Sequence, residues 1–78
     1  MTPQARFTLL LSRPIGPDLA EDLERQAVYA SIHVHRVRVN AQRTGVEVTR
    51  EPGSDEAEVR SKIERYLEAV LGPASLRK

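Results

Sequence analysis

The sequence predicts an α+β fold, a two-layer β-α-β-β-α sandwich in which a three-stranded antiparallel or mixed sheet carries two helices on one face. Three observations predict it. Apolar residues alternate at Phe7, Leu9 and Leu11, take helical spacing from Leu19 to Ala27, alternate twice more between Val37 and Val48, and return to helical spacing from Val59 to Val70. Each strand has a single apolar face, which places both helices on the same side. Chain breakers fall where the rhythm changes: Pro14, Gly16 and Pro17, then Pro52 and Gly53, then Gly72 and Pro73.

The first strand spans about residues 5–12, with Phe7, Leu9 and Leu11 inward and Thr8, Leu10 and Ser12 outward. Gly16-Pro17 opens a helix that runs to about Tyr29, because a proline in the first helical position loses no needed donor. Its stripe is Leu19, Leu23 and Ala27, and Asp18, Glu21 and Asp22 suit the positive end of the dipole.

Between Ser31 and Asn40 the alternation slips phase, since Ile32 and Val34 share one parity and Val37 and Val39 the other. Either Ile32 and Val34 lie in the connection and cap the core, with the strand starting near His35, or a bulge absorbs the slip. Asn40 to Gly45 is a hairpin connection to a third strand, with Val46 and Val48 inward. Ser54 or Asp55 caps the second helix, with Asp55 and Glu58 at capping-box spacing. Val59, Ile63, Tyr66, Leu67 and Val70 form its stripe. The chain is a single domain, 1–78, with its core in about 6–71; residues 72–78 are a tail or a short strand, and Ala74 to Lys78 read as tail.

Composition narrows the function classes. A chain of 78 residues buries only about 60% of the surface its unfolded form exposes, so its core is thin and a deep catalytic cleft is not expected. There is no cysteine, hence no disulfide, thiolate ligand or thiol nucleophile. No apolar run approaches the roughly 20 residues of a membrane-spanning helix, and Arg13, Pro14 and Asp18 interrupt any secretory-type apolar core. The expected compartment is the cytoplasm. Net charge is only +1, but it is unevenly placed: residues 33–50 carry Arg36, Arg38, Arg43 and Arg50 against Glu47, whereas 18–24 carry four carboxylates and no base.

The segments Val34-His35-Arg36-Val37-Arg38-Val39-Asn40 and Thr44-Gly45-Val46-Glu47-Val48, followed by Pro52-Gly53 and a helix with an acidic start, resemble the heavy-metal-associated domain and its ferredoxin-like relatives. The resemblance covers about residues 6–71 and is topological. It implies a ferredoxin-like order of elements whose last strand is absent or rudimentary. In that family two cysteines after the first strand hold the metal; here Ser12-Arg13-Pro14-Ile15-Gly16-Pro17 stands in that loop, so the metal-carrying activity does not follow. An incomplete sheet leaves the first strand as an exposed edge with unpaired main-chain groups, and Arg6, Thr8, Leu10 and Ser12 are its candidate partner-binding residues.

The other candidate sites are weaker. Arg36 and Arg38, with Arg43 in the connection, form a stripe suited to phosphates or an acidic partner, but stacking aromatics are missing from that face; the plainer reading pairs an arginine with Glu47 across strands. His33 and His35 share a side on an extended strand, yet two ligands are not a site, and no metal or cofactor is expected. Arg13 and Gly16 before a helix suggest an anion site, which Asp18, Glu21 and Asp22 oppose. No serine stands in a nucleophile elbow and neither histidine in an activating motif, so catalysis is not expected. The sequence therefore predicts a protein-interaction or accessory docking module acting through the first-strand edge or the basic hairpin, as a homodimer or docked onto a larger enzyme, with RNA or DNA binding through the arginines as the alternative.

Overall fold

The computed structural model describes residues 5–77 and has the expected order: β1 (Ala5–Leu10), α1 (Pro17–Gln26), a 3-10 segment (Ala27–Ala30), β2 (Val34–Val39), β3 (Gly45–Arg50) and α2 (Glu56–Leu71). It is a small compact α+β unit with a three-stranded sheet and two helices. β3 lies between β1 and β2, and both ladders are antiparallel. Phe7, Leu9, Val37, Val46 and Val48 from one face of the sheet join Leu23, Ala27, Val59, Ile63 and Leu67 in a single buried cluster. Its most enclosed members, Leu23, Val46, Val48, Val59, Ile63 and Leu67, each contribute about 1.5–3 kcal/mol by leaving water.

The phase slip is resolved by a bulge. Val34 pairs with Arg50 and Arg36 with Thr49, so His35 is the extra residue of β2. That insertion lets Val34 and Val37, three apart, both face the core. Val34 thus belongs to the strand, and β2 starts one residue before His35. Ile32 does not cap the core: it is 85% exposed. A residue beyond the bulge, at the mouth of the turn, has no strand to hold it inward. Likewise α1 gives way at Ala27 to a tighter 3-10 turn, and Val70, on the last turn of α2, is exposed.

The connections are built from side chains. Asp55 is the N-cap of α2 and accepts from the amides of Ala57 and Glu58. Asn40 organises the β2-β3 hairpin, accepting the Thr44 amide at its Oδ1 (2.9 Å) and the Arg43 amide at its carbonyl (3.0 Å). Gly45 packs closely there: a Cβ on it would stand 3.0 Å from Asn40 Nδ2, so the Asn40 amide would have to give by a few tenths of an ångström. Arg50, largely covered, donates to the Ser54 carbonyl and lies 3.8 Å from Glu56, which fixes the β3-α2 loop.

Residues 74–77 correct the expectation of a tail. Leu76 bridges Leu11 in antiparallel sense, with Ser12 N donating to Ser75 O (2.7 Å) and Arg77 N to Leu10 O (2.8 Å). The Ser12 hydroxyl adds a bond to Ala74 O (2.9 Å). A tail was expected because five residues carry too little apolar pattern to announce a strand; Leu76 alone, packed against the core, is enough to seat it. Lys78, also read as tail, lies outside the described residues.

Candidate functional site: the open face of the sheet

Strand parity decides which main-chain groups of β1 face outward. Leu11 N donates to Thr44 O, so the odd-numbered residues of β1 bond to β3 and Arg6, Thr8, Leu10 and Ser12 present their amides and carbonyls to the other side. Ser12 N and Leu10 O are taken by the Ser75–Arg77 segment. Among the described residues no hydrogen bond reaches that side at Arg6 or Thr8, so the edge predicted to be free is free over half its length. The opposite edge is also partly closed: the Val39 amide donates to a Glu24 carboxylate oxygen from α1 at 2.9 Å.

The register also composes the face turned away from the helices. Arg6, Thr49 and Arg36 form one row across β1, β3 and β2; Thr8, Glu47 and Arg38 form the next. Arg6, Arg36, Arg38, Glu47, Thr49 and the bulged His35 line a polar depression of about 190 Å³. Three guanidinium groups face one carboxylate there, leaving two positive charges with His35 neutral. Glu47 does pair across strands, but with Arg6, at 3.7 Å. Arg36 and Arg38 are exposed, and among the described residues neither has an ion-pair partner. Thr49 is only 5% exposed, sunk between the arginines of its own row.

Arg43 does not join them. It sits in the hairpin with φ 59°, and its Nε donates to the Ile15 carbonyl at 2.8 Å while Ile15 N donates back to Arg43 O at 3.1 Å. This reciprocal pair staples the hairpin to the β1-α1 loop. The two histidines do not act together either, because the bulge breaks the alternation between them and His33 lies 3.7 Å from Glu51. Among the described residues no three His, Asp or Glu side chains converge as a metal site, and no helix is long and apolar enough to cross a membrane.

A second concavity, of about 510 Å³, lies between the β1-α1 loop and the end of α2, with Leu11, Ile15, Leu19, Val70 and Leu71 in its lining and Arg13 beside it. Arg13 therefore borders an apolar cleft rather than a phosphate cradle. Sequence reasoning placed Arg36 and Arg38 on an open face with Glu47 as a cross-strand partner, and the same parity puts Thr49 beside them. It missed Arg6 as their neighbour and His35 as a lining residue, since strand order and bulge position decide both. No protein-family model matches the chain, and no curated protein or solved structure matches it, so the functional reading rests on the chain's own geometry.

Proposed function

We propose that this chain is a non-catalytic interaction module that takes up an extended, acidic segment of a partner protein along the open face of its sheet and the free stretch of β1. The observation that carries this reading is the surplus of guanidinium charge at Arg36 and Arg38, next to Arg6, on a face beside main-chain groups at Arg6 and Thr8, none of which has a partner among the described residues. A segment added at that edge gains main-chain bonds, and its alternate side chains lie over the arginine rows. Charge complementarity then selects acidic sequences and speeds encounter. The fold is read as a reduced ferredoxin-like arrangement, supported by the order β1-β3-β2 and by Leu76 docking on the far side of β1. A second copy of the chain is a weaker occupant of the edge, because Arg6 would approach the basic row of its twin.

Nucleic-acid binding is the competing reading, and the same arginines support it. It has less support because the face lacks a stacking platform: Phe7 is in the core, Tyr66 packs against it, and Tyr29 is exposed on the 3-10 segment. Arg43, moreover, is engaged at Ile15.

Fluorescence anisotropy with a labelled peptide of alternating Glu and Thr, in parallel with single-stranded and duplex oligonucleotides at about 50 mM salt, tests this. The acidic peptide is expected to bind, and the double variant Arg36→Glu/Arg38→Glu to lose at least about tenfold in affinity, roughly 1.4 kcal/mol. Tighter binding of either oligonucleotide than of the peptide, or peptide binding indifferent to the double variant, overturns the reading.

A further inference from the structure

We infer that the depression around Thr49 is a seat for a phosphate monoester carried by the partner polypeptide, so that the partner is recognised in a phosphorylated form. This rests on the interaction reading for the carrier of the group, but not for the seat itself. The depression is local, about 190 Å³, and is lined by Arg6, His35, Arg36, Arg38, Glu47 and Thr49. Arg6, Arg36 and Arg38 approach it from both sides of β3.

The charge and donor count favour phosphate over carboxylate. A phosphate monoester brings about −1.5 to −2 of charge and three acceptor oxygens, which matches the two uncompensated positive charges and the several N–H forks around them. A carboxylate brings one charge and two oxygens. The face already holds such a group: Glu47 lies 3.7 Å from Arg6, beyond hydrogen-bond distance, and leaves Arg36 and Arg38 unanswered. Thr49 lies at the centre of this arrangement: the residue is 5% exposed, lines the depression, and stands in one row with Arg6 and Arg36. His35, held in the bulge, lines the same space and supplies a further ring nitrogen.

The seat is a single pocket rather than a groove, and no aromatic side chain lines it. A nucleic-acid backbone would need several phosphate contacts in line and bases would need stacking partners. A polypeptide needs neither, and the free main-chain groups of β1 next to Arg6 can hold its backbone.

Isothermal titration of the intact chain with three probes tests the assignment: a Glu/Thr peptide bearing one phosphothreonine, the same peptide with Glu in that place, and a 5′-phosphorylated single-stranded oligonucleotide. Inorganic phosphate is added as competitor. The phosphopeptide is expected to bind at least about tenfold more tightly than its Glu counterpart, to be displaced by inorganic phosphate, and to weaken at least about fivefold in Arg36→Ala and in Arg38→Ala. Glu47→Gln, which removes the opposing carboxylate, is expected to tighten it. Arg36 and Arg38 are exposed, so thermal melts of these variants matching the parent show that folding is not the cause. Equal affinity for the two peptides overturns the phosphate seat and leaves the interaction reading standing. Tighter binding of the oligonucleotide overturns the polypeptide carrier. Displacement by inorganic phosphate with no preference between peptides also overturns the proposal, because the seat would then be unused in recognition.

Discussion

Replacing Arg43 separates a structural arginine from the binding ones. Its Nε bond to Ile15 O, at 2.8 Å and half-buried, is a charge-assisted bond whose net worth lies near the low end of the usual range, about 1.5 kcal/mol. The residue also has φ 59°, a left-handed conformation that costs an L-residue about 1 kcal/mol relative to glycine. Arg43→Ala removes the bond and keeps the strain, so it destabilises by about 1.5 kcal/mol. Arg43→Gly removes both, so it costs only about 0.5 kcal/mol. Urea unfolding followed by far-UV circular dichroism reads the two values, with alanine below glycine and glycine below or near the parent. In the same samples, affinity for the acidic peptide stays within about twofold, since the hairpin arginine is not on the open face. An alanine variant as stable as the parent refutes the staple, and a glycine variant no better than alanine refutes the backbone strain; a large loss of peptide binding with folding intact refutes the separation of Arg43 from the site.

Three further outcomes follow from the same geometry. Deleting His35 regularises β2 without moving Val34 or Val37 off the core, so stability should fall by no more than about 1 kcal/mol, whereas deleting Glu47 from the unbulged β3 displaces a buried valine and should cost more than about 2 kcal/mol; equal losses by urea unfolding would contradict the bulge. Truncation after Pro73 removes the two main-chain bonds to β1, the Ser75–Gly72 turn bond and the Ser12 hydroxyl bond, costs about 1–3 kcal/mol, and lengthens the free edge of β1, so light scattering should show self-association where the parent shows less. Asp55→Ala removes the acceptor for two amides at the start of α2 and should lower stability by about 1 kcal/mol; an unchanged melting temperature would count against that cap.

Element types and the core were legible because alternation and helical spacing are direct consequences of burying one face. Phe7, Leu23, Val46, Ile63 and Leu67 are all inward, as their spacing requires. What the pattern could not carry were features fixed by tertiary contact. Ile32 has the parity of the buried Val34, but it lies in the turn before β2, where no strand holds it inward, and it faces water. Leu76 stands alone among polar neighbours, and only its contact with Leu11 makes it a bridge. Arg36, Arg38 and Arg43 read as one stripe because they are close in sequence, whereas the hairpin turn points Arg43 at Ile15. Arg6 is thirty residues from Arg36 and joins it only because β3 runs between their strands. The outward set of Arg36, Arg38, Glu47 and Thr49 was readable from parity alone; its conversion into a lined depression depended on strand order.

The most direct measurement of the central claim is an amide chemical-shift map of the protein titrated with the acidic peptide at low salt. The account predicts that the largest shifts fall on Arg6, Thr8, Arg36, Arg38 and Thr49, and that they fade as salt is raised, because an exposed basic face is screened. Shifts centred on Ile15, Leu19 and Val70, around the apolar cleft, or on neither concavity, would contradict it.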